Sequence, residues 1–215
     1  SFYKNDLDGG RVTSFSFARY VYVTVNKRFD DSVRVSYSKT EIVDDFEDLK
    51  HELVREAMRL TGVTSGVEIT TIAEIPSRGT GLGSSSAVTV GLLNALHNFA
   101  GSSPDAITLA EQACKIEIEI LGQPIGKQDQ YAAAFGGINH LQFRSDGIVI
   151  IDPLSIEKSD STDFVKNYSL LYTGITRSAN QILEEQIGNM SDKNDMLKKI
   201  RDQALLAREM VESGN

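Results

Sequence analysis

The sequence predicts an α+β fold with a mostly antiparallel sheet. Three observations predict it. Short β-branched and aromatic runs with alternating polarity recur along the chain. Apolar residues at helical spacing fill other stretches. The order is mixed: strands, helices, a hairpin, a further strand, then helices, without a regular β–α alternation. Of the 215 residues, 40% are hydrophobic and 24% charged, which suits an ordered core rather than a disordered chain.

Arg11 to Val25 (RVTSFSFARYVYVTV) follows an Asp8-Gly9-Gly10 turn signal and reads as one or two strands, with Tyr20 and Tyr22 on one strand face. Ser32 to Tyr37 alternates like a half-buried strand. Phe46 to Thr61 carries Phe46, Leu49, Leu53, Ala57, Met58 and Leu60 at helical spacing, and Gly62 stops that helix. Gly66 to Ile75 is a strand and Ser84 to Ala100 a long helix. Ser103-Pro104-Asp105 offers an N-cap followed by proline, opening a helix to about Leu121. Gly122 to Gly126 breaks it, and Gln128 to Ala134 is a short helix. After a Gly136-Gly137 turn, Ile138 to Phe143 and Gly147 to Ile151 form a hairpin around Ser145-Asp146-Gly147. Tyr168 to Tyr172 is a strand. Arg177 to Ile187 and Asp192 to Ser213 are amphipathic helices. The polar stretch Glu157 to Asp163 is the best boundary, giving domains over 1–163 and 164–215.

Charge and cysteine content exclude some function classes. The formal net charge is −8, so the basic face expected of a nucleic-acid binder is not evident. A few local Arg and Lys residues can still bind phosphate within an acidic protein. Cys114 is the only cysteine, so no intrachain disulfide forms, which fits a reducing cytoplasm. No apolar run of transmembrane length occurs, and no secretory signal pattern opens the sequence. His51, His97 and His140 have no metal-site spacing and read as ordinary packing.

The densest chemical signal is Ile75 to Ala87 (IPSRGTGLGSSSA), between a strand and a helix. Gly79, Gly81 and Gly83 let the backbone approach a ligand and adopt positive φ. The serines stand where a helix begins, and its first N–H groups and dipole favour an anion. Serine hydroxyls add donors, or ligands for a phosphate-held metal. The arrangement suits a triphosphate with Mg²⁺. It is not a Walker A loop, because Gly-Lys-Ser/Thr is absent, and its glycine spacing is not G-x-G-x-x-G.

This segment resembles the second motif of the GHMP kinases, the family of galactokinase, homoserine kinase, mevalonate kinase and phosphomevalonate kinase. That motif runs roughly Pro-x-x-x-Gly-Leu-Gly-Ser-Ser-x-Ala. Pro76, Gly81, Leu82, Gly83, Ser84, Ser85 and Ala87 occupy it, with Gly79 as the usual small residue. The resemblance implies the GHMP kinase fold. That is an ATP-binding domain of the ribosomal protein S5 domain 2-like type, followed by the start of a ferredoxin-like α+β domain. It also implies ATP bound by Pro76, Gly79, Gly81, Leu82, Gly83, Ser84, Ser85 and Ser86.

The similarity continues through Cys114 to Gly137, where galactokinase-like members carry a helical Glu, a glycine break and an Asp-Gln pair. Glu117 and Asp129-Gln130 match these. By resemblance Glu117 binds Mg²⁺ with Ser84 or Ser85, and Asp129 is the base for the attacking sugar hydroxyl. The chemistry agrees: Mg²⁺ takes one or two hard oxygen ligands besides phosphates and water, and phosphoryl transfer needs charge neutralisation and positioning. From the residues alone Glu119 competes with Glu117 as ligand. Gly126 to Gly137 and Tyr172 to Ala179 are similar to the branch that phosphorylates the anomeric hydroxyl of D-glycero-D-manno-heptose 7-phosphate. Lys127, Arg177 and Arg78 are then candidates for the sugar phosphate. The alternatives are a galactokinase- or fucokinase-like sugar kinase, or a non-catalytic nucleotide-binding protein on the same fold. Full-length members also carry a first motif ending in Gly-Gly-Thr-Asp or similar and a third glycine-rich motif. Neither occurs here, so the resemblance implies a piece of a longer protein.

Overall fold

In the computed structural model, residues 2–6, 8–75, 81–155, 171 and 194–213 are described. They group into two compact units. One combines Ser1–Phe17 with Gly136–Asn215, and the other is Ala18–Phe135.

The unit Ala18–Phe135 holds a four-stranded sheet. Its strands are β2 (Val21–Lys27), β3 (Val33–Ser36), β4 (Thr40–Val43) and β5 (Val67–Ala73), in the order β2-β5-β3-β4. Three pairings run within it: β2 with β5 and β3 with β4 are antiparallel, and β3 with β5 is parallel. Alternation decides which side is buried. Val21, Val23 and Val25 of β2 pack on the core while Tyr22 faces solvent. The core lies between this sheet and helices α2 (Glu52–Thr61) and α3 (Ser84–Phe99), with Val33, Val35, Val67, Ile69, Met58, Leu92 and Leu96 fully buried. Burying such side chains stabilises each by about 1.5–3 kcal/mol. Gly91 lets α3 lie close on β2, because a Cβ there would stand 3.0 Å from a Val23 methyl.

Three elements differ from their sequence reading, each for a local reason. The helix expected over Phe46 to Thr61 is divided into a 3₁₀ turn, Phe46–Asp48, and α2. Asp45 caps the first by accepting the Glu47 N–H at 2.9 Å, and the Lys50 N–H is spent on Glu41 Oε2 at 2.6 Å. The helix after Pro104 is capped by Asp105, which accepts the Thr108 N–H at 2.8 Å, so proline precedes the cap instead of following it. That helix, α4 (Ala106–Cys114), then widens into a π-helix over Lys115–Ile120. The Leu121 N–H bonds the Ile116 carbonyl at 3.0 Å. Such wide turns often mark functional sites. α5 (Gln128–Phe135) closes the unit.

The other unit contains β1 (Gly10–Phe15), β6 (Ile138–Phe143) and β7 (Val149–Pro153), all antiparallel in the order β1-β6-β7, after a one-turn helix α1 (Phe2–Asn5). The hairpin expected from sequence is therefore β6–β7. The helix α6 (Asn194–Ser213) packs on β1. Thr13 Oγ1 donates to the Ala204 carbonyl at 2.6 Å, which leaves its lone pairs for the buried His140 Nδ1 at 2.9 Å. Arg201, almost fully buried, donates to Asp6 Oδ1 at 2.9 Å and to Asp202 at 2.9 Å. Apart from the exposed Leu171, the expected strand Tyr168 to Tyr172 lies outside the described residues, as do the expected helix Arg177 to Ile187 and the expected boundary Glu157 to Asp163. Among the described residues, no helix is long and apolar enough to cross a membrane.

Candidate active site

The site is built where α3, the π-helix and α5 meet within the unit Ala18–Phe135. Pro76, Arg78 and Gly79 of the loop, and Arg177, lie outside the described residues. From Gly81 onward the loop is described. Gly81 and Gly83 have φ of 66° and 68°, the left-handed conformation that glycine adopts without a Cβ penalty. Gly83 sits at the N-cap of α3, and no side chain caps the helix. The first intrahelical bond runs from the Ala87 N–H to the Gly83 carbonyl at 3.0 Å. The opening turn, Ser84 to Ser86, therefore forms an uncapped positive helix end beside an exposed Leu82.

Under that turn lies Glu117, fully buried on the π-helix. Its neighbour Glu119 is exposed, so the choice between the two acids falls to Glu117. Ser85 Oγ donates to Glu117 Oε1. Ser86 Oγ donates to Oε2 at 2.9 Å, and Gln130 Nε2 donates to the same oxygen at 2.6 Å. Ser86 is itself buried, so its hydroxyl belongs to Glu117 and only its backbone remains available to an anion. All three donors are neutral. No Lys or Arg among the described residues pairs with this carboxylate, and a buried charge without a counter-ion is costly.

That observation is the test of a divalent cation at this place. The donor set is hard oxygen, as Mg²⁺ prefers, and it supplies the one or two protein ligands such an ion uses beside phosphates. Ser85 commits its proton to Glu117, so its remaining lone pairs are free to face an ion. Glu117 and a serine of the first turn fit the group.

Asp129 lies in the first turn of α5, one residue before Gln130. A Cβ added to Gly83 would stand 3.4 Å from the Asp129 Cγ, so the carboxyl rests against the glycine that begins α3. It is solvent-accessible, yet partial burial desolvates it and raises its pKa above the ordinary aspartate value. A carboxylate so placed is a candidate proton acceptor beside an anion-binding helix end. Lys127 is half-buried and lies near Cys114, whose thiol burial pushes up to about 12 against the opposing charge of Lys127. Among the described residues Lys127 forms no ion pair.

Sequence reasoning brought Gly81, Gly83, Ser84, Ser85, Ser86, Glu117 and Asp129 together, and the geometry gathers them around one helix start. It gave no role to Gln130, which proves to be the buried link between Glu117 and α5. The one available signal was its place beside Asp129.

Comparison with known proteins adds independent findings. Residues 49–137 match the family model described as GHMP kinases N terminal domain. The chain is 30% identical over 219 aligned residues to the D-glycero-alpha-D-manno-heptose 7-phosphate kinase of Campylobacter jejuni, covering 94% of this chain and 63% of that protein. It is 29% identical over 127 residues to the galactokinase of Pyrococcus furiosus, covering 58% of this chain and 32% of that protein. Among solved structures, a D-glycero-D-manno-heptose 1-phosphate kinase from Bacteriodes thetaiotaomicron superposes with a TM-score of 0.81 at 23% identity, covering 98% of this chain and 67% of that one. A phosphomevalonate kinase from Streptococcus pneumoniae superposes at 0.78 with 13% identity, covering 100% and 70%. These two structures establish a shared fold. The chain spans less than two thirds of the length of the curated relatives it matches.

Proposed function

We propose, from the match of residues 49–137 to the model of the GHMP kinases N terminal domain, that the protein is an ATP-dependent sugar kinase acting on an anomeric hydroxyl. Its acceptor in this reading is D-glycero-D-manno-heptose 7-phosphate, giving the 1,7-bisphosphate. The heptose 7-phosphate kinase that aligns with 94% of this chain supports this choice of acceptor. The mechanism rests on one observation: the uncapped start of α3, the buried Glu117 and Asp129 converge.

In this reading Gly81, Leu82, Gly83, Ser84 and Ser85, with the backbone of Ser86, cradle the ATP phosphates, and Pro76 and Gly79 complete the loop. Glu117 and Ser84 or Ser85 would hold Mg²⁺, which would supply charge neutralisation for the phosphates. Asp129 accepts the proton of the sugar hydroxyl as that oxygen bonds to the γ-phosphorus. The bond from phosphorus to the bridging oxygen breaks, and ADP departs with its electrons. Lys127, Arg177 and Arg78 are the proposed cations for the 7-phosphate. We further propose the division into domains over 1–163 and 164–215, and a reducing, cytoplasmic setting for the buried Cys114.

The test is ADP release from the full-length protein with ATP, Mg²⁺ and a panel of heptose 7-phosphate, galactose, fucose and mevalonate. Turnover is expected with heptose 7-phosphate above all others. Turnover with galactose alone would replace the acceptor. Nucleotide binding without turnover on any sugar would favour a non-catalytic nucleotide-binding protein.

A further inference from the structure

We infer that Gln130 is a positioning residue for this site: its amide holds the Glu117 carboxylate in place and ties the base-bearing helix α5 to the anion-binding helix α3. The inference rests on the kinase reading for its consequence in turnover, but its geometry is independent of the acceptor. Gln130 is fully buried, and its Nε2 donates to Glu117 Oε2 at 2.6 Å. The amide orientation is fixed chemically, because only the NH₂ end can face a carboxylate. Its Oε1 must therefore point away, and that atom is buried without a hydrogen-bond partner.

That unpaired oxygen discriminates between two roles for position 130. If the position served packing alone, a methionine or leucine would fill it without burying an unpaired carbonyl. The fold accepts the cost, and what it obtains is a third donor on Glu117. The bonds then divide the carboxylate. Ser86 and Gln130 both occupy Oε2, from α3 and α5 respectively. Oε1 bonds only to Ser85, at the exposed turn where phosphate and metal would bind. Fixing Oε2 from two helices presents Oε1 in a single direction. Groups that orient a metal-binding carboxylate in this way typically change metal affinity or activity by about 10–100-fold when removed. The link also explains adjacency: Asp129 precedes Gln130 on α5, so the residue that anchors Glu117 also sets where the base stands relative to Gly83.

Two variants test this. Gln130→Met fills the volume without a donor. Gln130→Asn keeps an amide but withdraws it by one methylene, beyond the reach of Glu117. In both, the metal concentration at half-maximal stimulation of nucleotide binding, read by titration calorimetry with a non-hydrolysable ATP analogue, should rise about 10–100-fold. The turnover number should fall by a comparable factor, while KM for the sugar stays within about threefold and metal-free nucleotide binding is unchanged. A merely structural residue would instead weaken sugar, nucleotide and metal together with melting temperature. An unchanged metal midpoint in a folded variant overturns the inference. If Gln130→Met does not fold, Gln130→Asn decides alone by the same midpoint. If the wild-type protein shows no phosphoryl transfer, the kinase reading fails. The metal midpoint of nucleotide binding then still reports whether Gln130 holds Glu117.

Discussion

Asp129 has to be ionised to accept a proton, and its surroundings work against ionisation. Partial desolvation raises its pKa, so the acid limb of the turnover profile should lie above the ordinary aspartate range of about 3.9. Activity should fall as pH drops through that raised value. The same shift has a stability consequence of opposite sign. A carboxyl whose folded pKa is raised contributes stability only while protonated, below its unfolded pKa, and loses it as pH rises through the folded one. At pH 7 the ionised Asp129 is therefore a small cost to the fold. Asp129→Asn should lower turnover by about 10²–10⁴-fold, leave nucleotide affinity nearly unchanged, and raise the melting temperature slightly at pH 7 but not at pH 3. Near-normal turnover would remove Asp129 from the role of base. Its candidacy was legible in the sequence, as a lone acid between two glutamines after a glycine break. Its environment was not, because the contact of its carboxyl with Gly83 depends on α3 and α5 meeting in space.

At the scale of elements, the glycine loop offers an internal control. Gly81 and Gly83 share a left-handed backbone, so an alanine at either should cost about 1–2 kcal/mol in denaturant unfolding. They differ in what a methyl would meet. At Gly81 it meets nothing within 4 Å among the described residues, whereas at Gly83 it touches the Asp129 carboxyl. Gly83→Ala should therefore shift the acid limb of the turnover profile further upward, by added desolvation, while Gly81→Ala leaves that limb in place. Equal profiles for the two variants would mean that Asp129 does not lean on α3. The elements themselves were largely legible. Alternation gave β2, β3 and β5, apolar spacing gave α2 and α3, and Gly136-Gly137 marked the turn before the hairpin. The π-helix was not. Lys115-Ile-Glu-Ile-Glu-Ile alternates with a period of two, which fits neither a strand at the end of α4 nor a regular helix, and only packing decides that Ile116 and Glu117 are both buried. The short strand β4 carried too few residues to register.

At the scale of the whole molecule, each unit has its own means of staying folded. The apolar cluster around Val33, Met58, Leu92 and Leu96 belongs to Ala18–Phe135, and so does the candidate site. The other unit relies on Leu141 and Phe143 and on the buried Arg201, whose guanidinium joins α6 to Asp6 ahead of β1. Removing the Asp6 charge leaves Arg201 with Asp202 at 2.9 Å and with Asp8 at 3.6 Å. Asn keeps an oxygen that accepts from Arg201 but loses the carboxylate charge, so the cost stays below the about 1.5–3 kcal/mol of a whole hydrogen bond to a charged group. Asp6→Asn should accordingly speed amide exchange in β1, β6 and α6, with little change in α3 and α5. A non-hydrolysable ATP analogue with Mg²⁺ should do the reverse, slowing exchange at the start of α3 and in α5, because a ligand stabilises what it binds. Exchange measured by mass spectrometry on the two samples separates these outcomes. If Asp6→Asn accelerates α3 and α5 as much as β1 and α6, the two units unfold as one. The elements of the candidate site would then draw on the Arg201 anchor for their stability.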